Sequence, residues 1–283
     1  MTPMRRTLRS AAAGAFTTFC WVTTGLALLA LAAIFLSLFG KGFGGLSLDI
    51  FTQSEPAAGM TGGGLLNDIL GSVVMCGMAM VIAVVVGILA GTWLAEFGRE
   101  TAYASAVRFV NDILLSAPSV LVGLVVWELL VAHVVGHFSA IAGAVALGII
   151  AVPIITRTTE DVLKLQPTSL RESGVALGTP HWIAIRKILW KSASSGILTG
   201  GLLAFARISG ETAPLLFTSL GNPFFSWNLT QPMASLPTTI AKFALSADDN
   251  WVRLSWVASL IVSVAVLATN ILARFVTREP RRS

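Results

Sequence analysis

Six long apolar runs, separated by stretches that hold most of the charge, set the pattern of the chain: Ala15 to Phe39, Ile69 to Leu94, Ile113 to Ala132, Phe138 to Thr156, Ala193 to Phe217 and Leu254 to Ala273. Each comes close to the roughly 20 residues that an α-helix needs to cross a bilayer. In hydrocarbon, every backbone N–H and C=O must find its partner inside the segment. The pattern therefore predicts an all-α polytopic membrane protein with about six transmembrane helices. The first run follows Arg5, Arg6 and Arg9, as a signal peptide would, but its 25 residues exceed the usual apolar core of about 7 to 15. It reads as a retained anchor.

Charge orients these runs. With the N-terminus inside, the inner segments carry 3, 2, 6 and 4 Lys or Arg, whereas the outer segments hold only Lys41, Lys242 and Arg253. That asymmetry satisfies the positive-inside rule and places both termini in the cytoplasm. Trp93 near an inner end, and Trp127, Trp251 and Trp256 near outer ends, suit the membrane interfaces. The chain divides into residues 1–66 (N-terminus, first span and outer loop), a core over 67–274 containing a cytoplasmic loop at 157–192, and a basic tail at 275–283. Two outer segments are long for turns: 40–68 with Gly62-Gly63-Gly64, and 218–253 with Pro223, Pro232 and Pro237.

Composition narrows the function classes. Of 283 residues, 55% are hydrophobic and 12% charged, about half the charge of a typical soluble domain. The net charge of +5 lies between apolar runs, so the partner it implies is anionic lipid and not nucleic acid. Cys20 and Cys76 sit in different apolar runs and form neither a disulfide framework nor a CxxC pair. Gly40-Lys41-Gly42 lacks the hydroxyl of a phosphate-binding P-loop, so the chain carries no ATP site of its own.

The loop at 157–192 holds the most informative local signals. Ser169 and Glu172 have capping-box spacing, so Leu170 can open a short helix that Gly178 stops. Thr179 and Pro180 can then begin a second helix, as cap and first residue. Such a short helix fits a groove on a soluble partner; the plain alternative is an amphipathic loop on the headgroups.

Within the fifth run, Arg207 and Glu211 stand at i and i+4 on one helical face. A charge near the bilayer centre costs about 2.5 to 3.5 kcal/mol on insertion scales. Pro214 removes the N–H that the Gly210 carbonyl would accept from, which predicts a helix kink beside them. The functional reading is an anion relay, with the guanidinium fork matching oxyanion oxygens and Glu211 limiting how tightly it holds. The other reading is an ion pair that locks helix packing. His133 and His137 share the i, i+4 spacing of a zinc pair, but Val134 replaces the base of H-E-x-x-H, and they read as interfacial histidines; Glu128 reads as a snorkelling carboxylate.

Glu172-Ser173-Gly174, then Gly178, then Ile188, resembles the EAA loop of ABC importer permeases, with Ser and Gly in place of the two alanines and Trp190-Lys191 where Leu-Pro is common. Further strings, Asn111 to Ser119, Ile155 to Glu160, Leu170 to Glu172, Ala176 to Pro180 and Ala206 to Phe217, resemble the PstA-type permease family of phosphate importers from about Gly62 to Arg274. The resemblance implies a type I importer permease fold in a bacterial inner membrane. It also implies a PstC-type homologous permease, two PstB-type ATPase subunits that bind ATP and Mg, and a PstS-type phosphate-binding protein as partners. It carries Arg157 into the anion path beside Arg207. Importers of molybdate, sulfate or phosphonate, and an ion-coupled secondary transporter using Glu211, remain alternative readings. An intramembrane enzyme would need a nucleophile with a positioned base, and the spans offer none.

Overall fold

The computed structural model describes residues 3–276 apart from Arg99, Leu177 and Phe225. Most of the basic tail, from 277 on, therefore lies outside the described residues, as does Leu177 of the loop motif. The described chain is all-α: α1 Pro3–Gly44, α2 Leu66–Trp93, α3 Ala102–Ser116, α4 Ser119–Val126, α5 Ala140–Lys164, α6 Thr168–Ala176, α7 His181–Ala184, α8 Trp190–Ile208, α9 Ala213–Thr218, α10 Leu236–Ala244 and α11 Asp249–Val276. Wider π-helical turns extend α2 over Leu94–Gly98, extend α4 over Trp127–Val135, and lead into α8 over Ile185–Leu189.

Among the described residues, four helices are long and apolar enough to cross a membrane, Ala12–Gly44, Leu66–Gly98, Ala140–Lys164 and Asp249–Leu272, and a bent pair makes a fifth. Two of the expected runs take a different form. The third is broken between α3 and α4, whose axes meet at 105°. Ala117 is extended there (φ −66°, ψ 136°), the conformation that steric conflict with the ring of Pro118 imposes on the preceding residue. The fifth run is not one helix from Ala193 to Phe217: α8 ends at Ile208, residues 209–212 interrupt it, and Pro214 lies at the start of α9. The expected kink at Pro214 is thus a helix start, where a missing N–H costs nothing. Upstream, the Ser209 hydroxyl bonds back to the Phe205 carbonyl at 2.7 Å and closes the last turn of α8.

Glycines set the crossings. A Cβ at Gly87 would lie 2.7 Å from the Cβ of Ile155, at Gly91 2.7 Å from that of Thr159, and at Gly143 2.9 Å from the sulfur of Met75. The constant offset between these pairs makes α2 and α5 parallel and in register. Gly196 against Val162 and Gly200 against Thr158 make α8 antiparallel to α5. Because lipid tails are as apolar as side chains, such contacts are held by close van der Waals packing, which small residues permit. The central cluster includes Met75, Ala79, Ala83, Leu147, Ala151, Ile155, Ala204 and Ile208.

At the α10 end, residues 45–65 fold over the α10–α11 hairpin and bury Ile50, Leu65, Phe243 and Leu254 together. Trp251 donates its indole N–H to the Pro56 carbonyl at 3.1 Å and stacks on Phe243 with ring centroids 4.5 Å apart. Asp248 caps α11 by accepting from the Asn250 N–H at 2.8 Å, while its other oxygen accepts from the Gly59 N–H at 2.7 Å. The Gly59 N–H above all holds the Asp248 carboxyl below the usual range. Stability from this depressed group is present above the ordinary carboxylate pKa and is lost as pH falls through the lower folded value. The melting temperature of the detergent-solubilised protein should therefore fall as pH drops below the ordinary carboxylate range, and Asp248→Asn should melt lower than the wild type at neutral pH and show less of that fall. Equal curves for the two proteins would remove this contribution.

The crossings generate a second prediction. Gly87→Val should cost about 1–3 kcal/mol through overpacking on Ile155. Gly77→Ala, which meets nothing within 4 Å, should cost nothing. Thermal stability of the detergent-solubilised protein measures both, and equal melting of the two variants would remove the close-packing account.

Candidate functional site

Arg207 and Glu211 form an ion pair, with the carboxylate buried at 6% side-chain exposure and the guanidinium open at 57%. Glu211 belongs to the interruption after α8, and its N–H is held by the Ile208 carbonyl at 3.1 Å. The pair thus spans a helix end instead of lying on one continuous helix. Continuing the α5–α8 and α2–α5 registers sets Arg207 level with Ala151 and Ala83, near the middle of Leu66–Gly98. The guanidinium bonds Glu211 through Nη1, and its side chain is otherwise largely exposed. Pro214 packs here against α4: a Cβ at Gly123 would lie 2.6 Å from the Pro214 Cα.

Arg157 does not join that pair. It lies about six residues, roughly 9 Å along the helix axis, nearer the α6 end. Its Nε donates to Asp161 at 3.2 Å, and its Nη1 is 3.5 Å from Asp112 of α3, with about half of its side chain exposed. The two arginines lie on different helices and at different levels, each with its own carboxylate partners.

The α6–α7 unit forms much as its sequence indicates, with its caps rearranged. α6 begins at Thr168, so Ser169 is its second residue and exposed, and the Pro167 carbonyl takes the Leu170 N–H at 3.2 Å. Glu172 is also exposed. Gly178 has φ 68°, the left-handed conformation that ends a helix, and the Thr179 N–H reaches back to the Gly174 carbonyl at 3.2 Å. The Thr179 hydroxyl bonds that same carbonyl at 2.6 Å and so is not the cap of α7; Pro180 holds that position.

What the sequence did not disclose is how this unit is fastened. Arg171 donates from Nε to both oxygens of Glu96 at 3.1 Å, and from Nη2 to Glu96 at 2.7 Å and to the Leu163 carbonyl at 2.7 Å. Its Nη1 reaches the Gln166 carbonyl at 2.7 Å. One side chain therefore joins α6 to the π-turn of α2 and to the end of α5. Glu96 is fully buried at the side chain, and its hydrogen bonds raise the Arg171 pKa above the ordinary value. Beside it, Glu160 is buried between Arg108 at 2.7 Å and Lys164 at 2.6 Å, and the Trp190 indole donates to Thr92 at 3.0 Å. A lone Glu at the end of an apolar run was the available signal for Glu96, but nothing in the spacing pairs it with a residue 75 positions later.

His133 and His137 turn to different partners, the Glu128 carbonyl at 2.5 Å and the Phe138 carbonyl at 3.1 Å. Glu128 lies 3.6 Å from His133. Among the described residues no group of three or more His, Cys, Asp or Glu is placed to hold a metal ion. Cys20 is exposed and Cys76 buried, both as free thiols.

Removing one partner of a buried pair costs about 3–5 kcal/mol because the other charge is stranded. Glu96→Ala should thus loosen α6 and speed trypsin cleavage after Arg171, whereas Glu172→Ala should leave cleavage unchanged. Equal rates in all three proteins would show that Glu96 does not fasten this unit.

Comparison with known proteins gives three results. Residues 83–282 match the model of the family described as binding-protein-dependent transport system inner membrane component. A phosphate transport system permease protein PstA of Xylella fastidiosa is 52% identical over 238 residues, 84% of this chain and 83% of its own, and a probable one of Methanocaldococcus jannaschii is 32% identical over 99% of each chain. Among solved structures, an inward-facing MetNI methionine ABC transporter superposes with a TM-score of 0.62 at 18% identity, over 76% of this chain and 94% of the other, a likeness of fold.

Proposed function

The chain belongs to the family of binding-protein-dependent transport system inner membrane components, and from that membership we propose that it is the permease subunit of an ATP-driven importer of inorganic phosphate. The observation that carries the substrate is the 52% identity to a phosphate permease across most of both chains, joined to an open guanidinium backed by a buried carboxylate at the middle of the bundle. The permease is non-catalytic: ATP and Mg are handled by two separate PstB-type subunits. A PstC-type permease completes the path, and a PstS-type binding protein delivers phosphate.

The positive-inside asymmetry supports a cytoplasmic α6 end and an external α10 end, with both termini inside. Phosphate then enters from the α10 side, meets Arg207, and leaves past Arg157. The fork of Arg207 suits tetrahedral oxyanion oxygens, and Glu211 keeps the hold weak enough for release. The exposed face of α6, with Ser169 and Glu172 and the Gly178 stop, is the surface offered to the ATPase. Arg171 makes that surface continuous with α2 and α5, so a push on α6 reaches the helices that carry the anion path.

If Arg207 and Glu211 serve only packing, neutralising both together would be close to harmless, since a buried pair often does no better than apolar residues of similar size. The anion reading expects the opposite. Arg207→Gln, alone or with Glu211→Gln, should abolish phosphate uptake at normal membrane abundance, while Arg207→Lys keeps part of it as a point charge without the fork. Wild-type uptake by the double variant would sink the relay. Uptake driven by a proton gradient with no nucleotide present would favour a secondary transporter instead. For orientation, a cysteine at Ala247 should react with an impermeant thiol reagent from outside, and one at Thr179 only after permeabilisation.

A further inference from the structure

A second cation–carboxylate pair lies at the α10 end, at the rim of a cavity of about 290 Å³ lined by Glu55, Leu220, Asn222, Thr238, Thr239 and Lys242. Lys242 Nζ is 3.3 Å from Glu55 Oε2, and the side chains are 53% and 5% exposed. This repeats the arrangement of Arg207 and Glu211, whose side chains are 57% and 6% exposed: an open cation in front of a buried acceptor. We propose that this cavity is an entry site for hydrogen phosphate, where the anion rests on its way to Arg207; the inference builds on the phosphate reading above.

The chemistry of the wall suits that ion. The ammonium of Lys242 sits 5.3 Å and 5.2 Å from the ring centroids of Phe243 and Trp251, which hold it at the cavity edge, and Glu55 uses only part of its donor capacity. Asn222 accepts the Phe224 N–H at 3.0 Å through Oδ1, which turns its amide hydrogens to the role of donors. Thr239 spends its hydroxyl on Asp68 behind the wall and lies 3.4 Å from Glu55 Oε1, so the carboxylate of Glu55 keeps acceptor capacity. At neutral pH phosphate carries at least one P–OH to donate to it and sulfate carries none. The volume admits a tetrahedral ion with part of its hydration shell, given the roughly 30 Å³ share of a water molecule. The buried carboxylate of Glu55 weakens the hold, as a station on a path requires.

The test uses the assembled transporter in proteoliposomes, with Cys20 and Cys76 replaced by alanine and Leu220→Cys as reporter. An impermeant anionic thiol reagent is applied from outside without the binding protein. Inorganic phosphate at about ten times its dissociation constant should slow labelling roughly tenfold, and chloride at equal ionic strength should not. Lys242→Gln should abolish the protection and lower uptake, and Lys242→Arg should keep both. Pairing Lys242→Gln with Glu55→Gln separates the roles: recovery of wild-type uptake would mean that Lys242 only ties Glu55 in place, and the entry site would fall. It would also fall if phosphate gave no protection, or if Lys242→Gln took up phosphate at the wild-type rate. A wild-type transporter that takes up no phosphate would instead overturn the phosphate reading itself.

Discussion

Helices α2, α5 and α8 meet where only a hydrogen atom fits, at Gly87, Gly91, Gly143, Gly196 and Gly200, and this closeness decides where every polar group can go. Between helices in lipid there is no water to expel, so association rests on dispersion, and dispersion falls off within an ångström of separation. A core packed that tightly leaves no room for long charged side chains at the crossings. Charges lie towards the helix ends, along α3 at Arg108 and Asp112, and on the face opened by the break after Ile208.

That break is the structural origin of the mid-bundle site. A continuous helix would have placed Arg207 and Glu211 on one face with every backbone group paired. Instead α8 closes on Ser209, and Glu211 turns inward while the guanidinium stays open. Irregular backbone at membrane depth is tolerated where it lines a cavity or is buried in protein, and here the following α9 packs Pro214 against Gly123. The same division of roles, open cation and buried carboxylate, recurs at Lys242 and Glu55. In both pairs the cation lies open in front of a buried carboxylate that offsets its charge.

The α6–α7 unit is linked to this core through the Arg171 guanidinium and through Leu170, which packs with Ala95 and Leu163. Because Arg171 bonds Glu96 and the carbonyls of Leu163 and Gln166 together, α6 cannot tilt without carrying the ends of α2 and α5 with it. The in-register contact of α2 with α5 extends that rigidity to the level of Arg207. The α6–α7 unit and the helix that carries Arg207 are thus parts of one packed body.

Local sequence determined the all-helical membrane character, the left-handed stop at Gly178 and the candidacy of Arg207 and Glu211, because each depends on hydropathy, on a steric rule or on the cost of a charge in an apolar run; Arg157 entered only through the family resemblance. Local sequence read the third run as straight and the fifth as one kinked helix: whether a proline such as Pro118 or Pro214 bends, ends or begins a helix depends on what satisfies the freed backbone groups nearby. The capping of α6 and α7 shifted for a similar reason, since the Thr179 hydroxyl found the Gly174 carbonyl within reach. Only the tertiary structure brought Glu96 to Arg171, Asp248 to Gly59 and Glu55 to Lys242, pairs separated by 75, 189 and 187 positions. Sequence periodicity reports which face of a helix is apolar and carries no record of which distant face it will meet. That choice is made by the shapes of whole helices packing at glycine contacts.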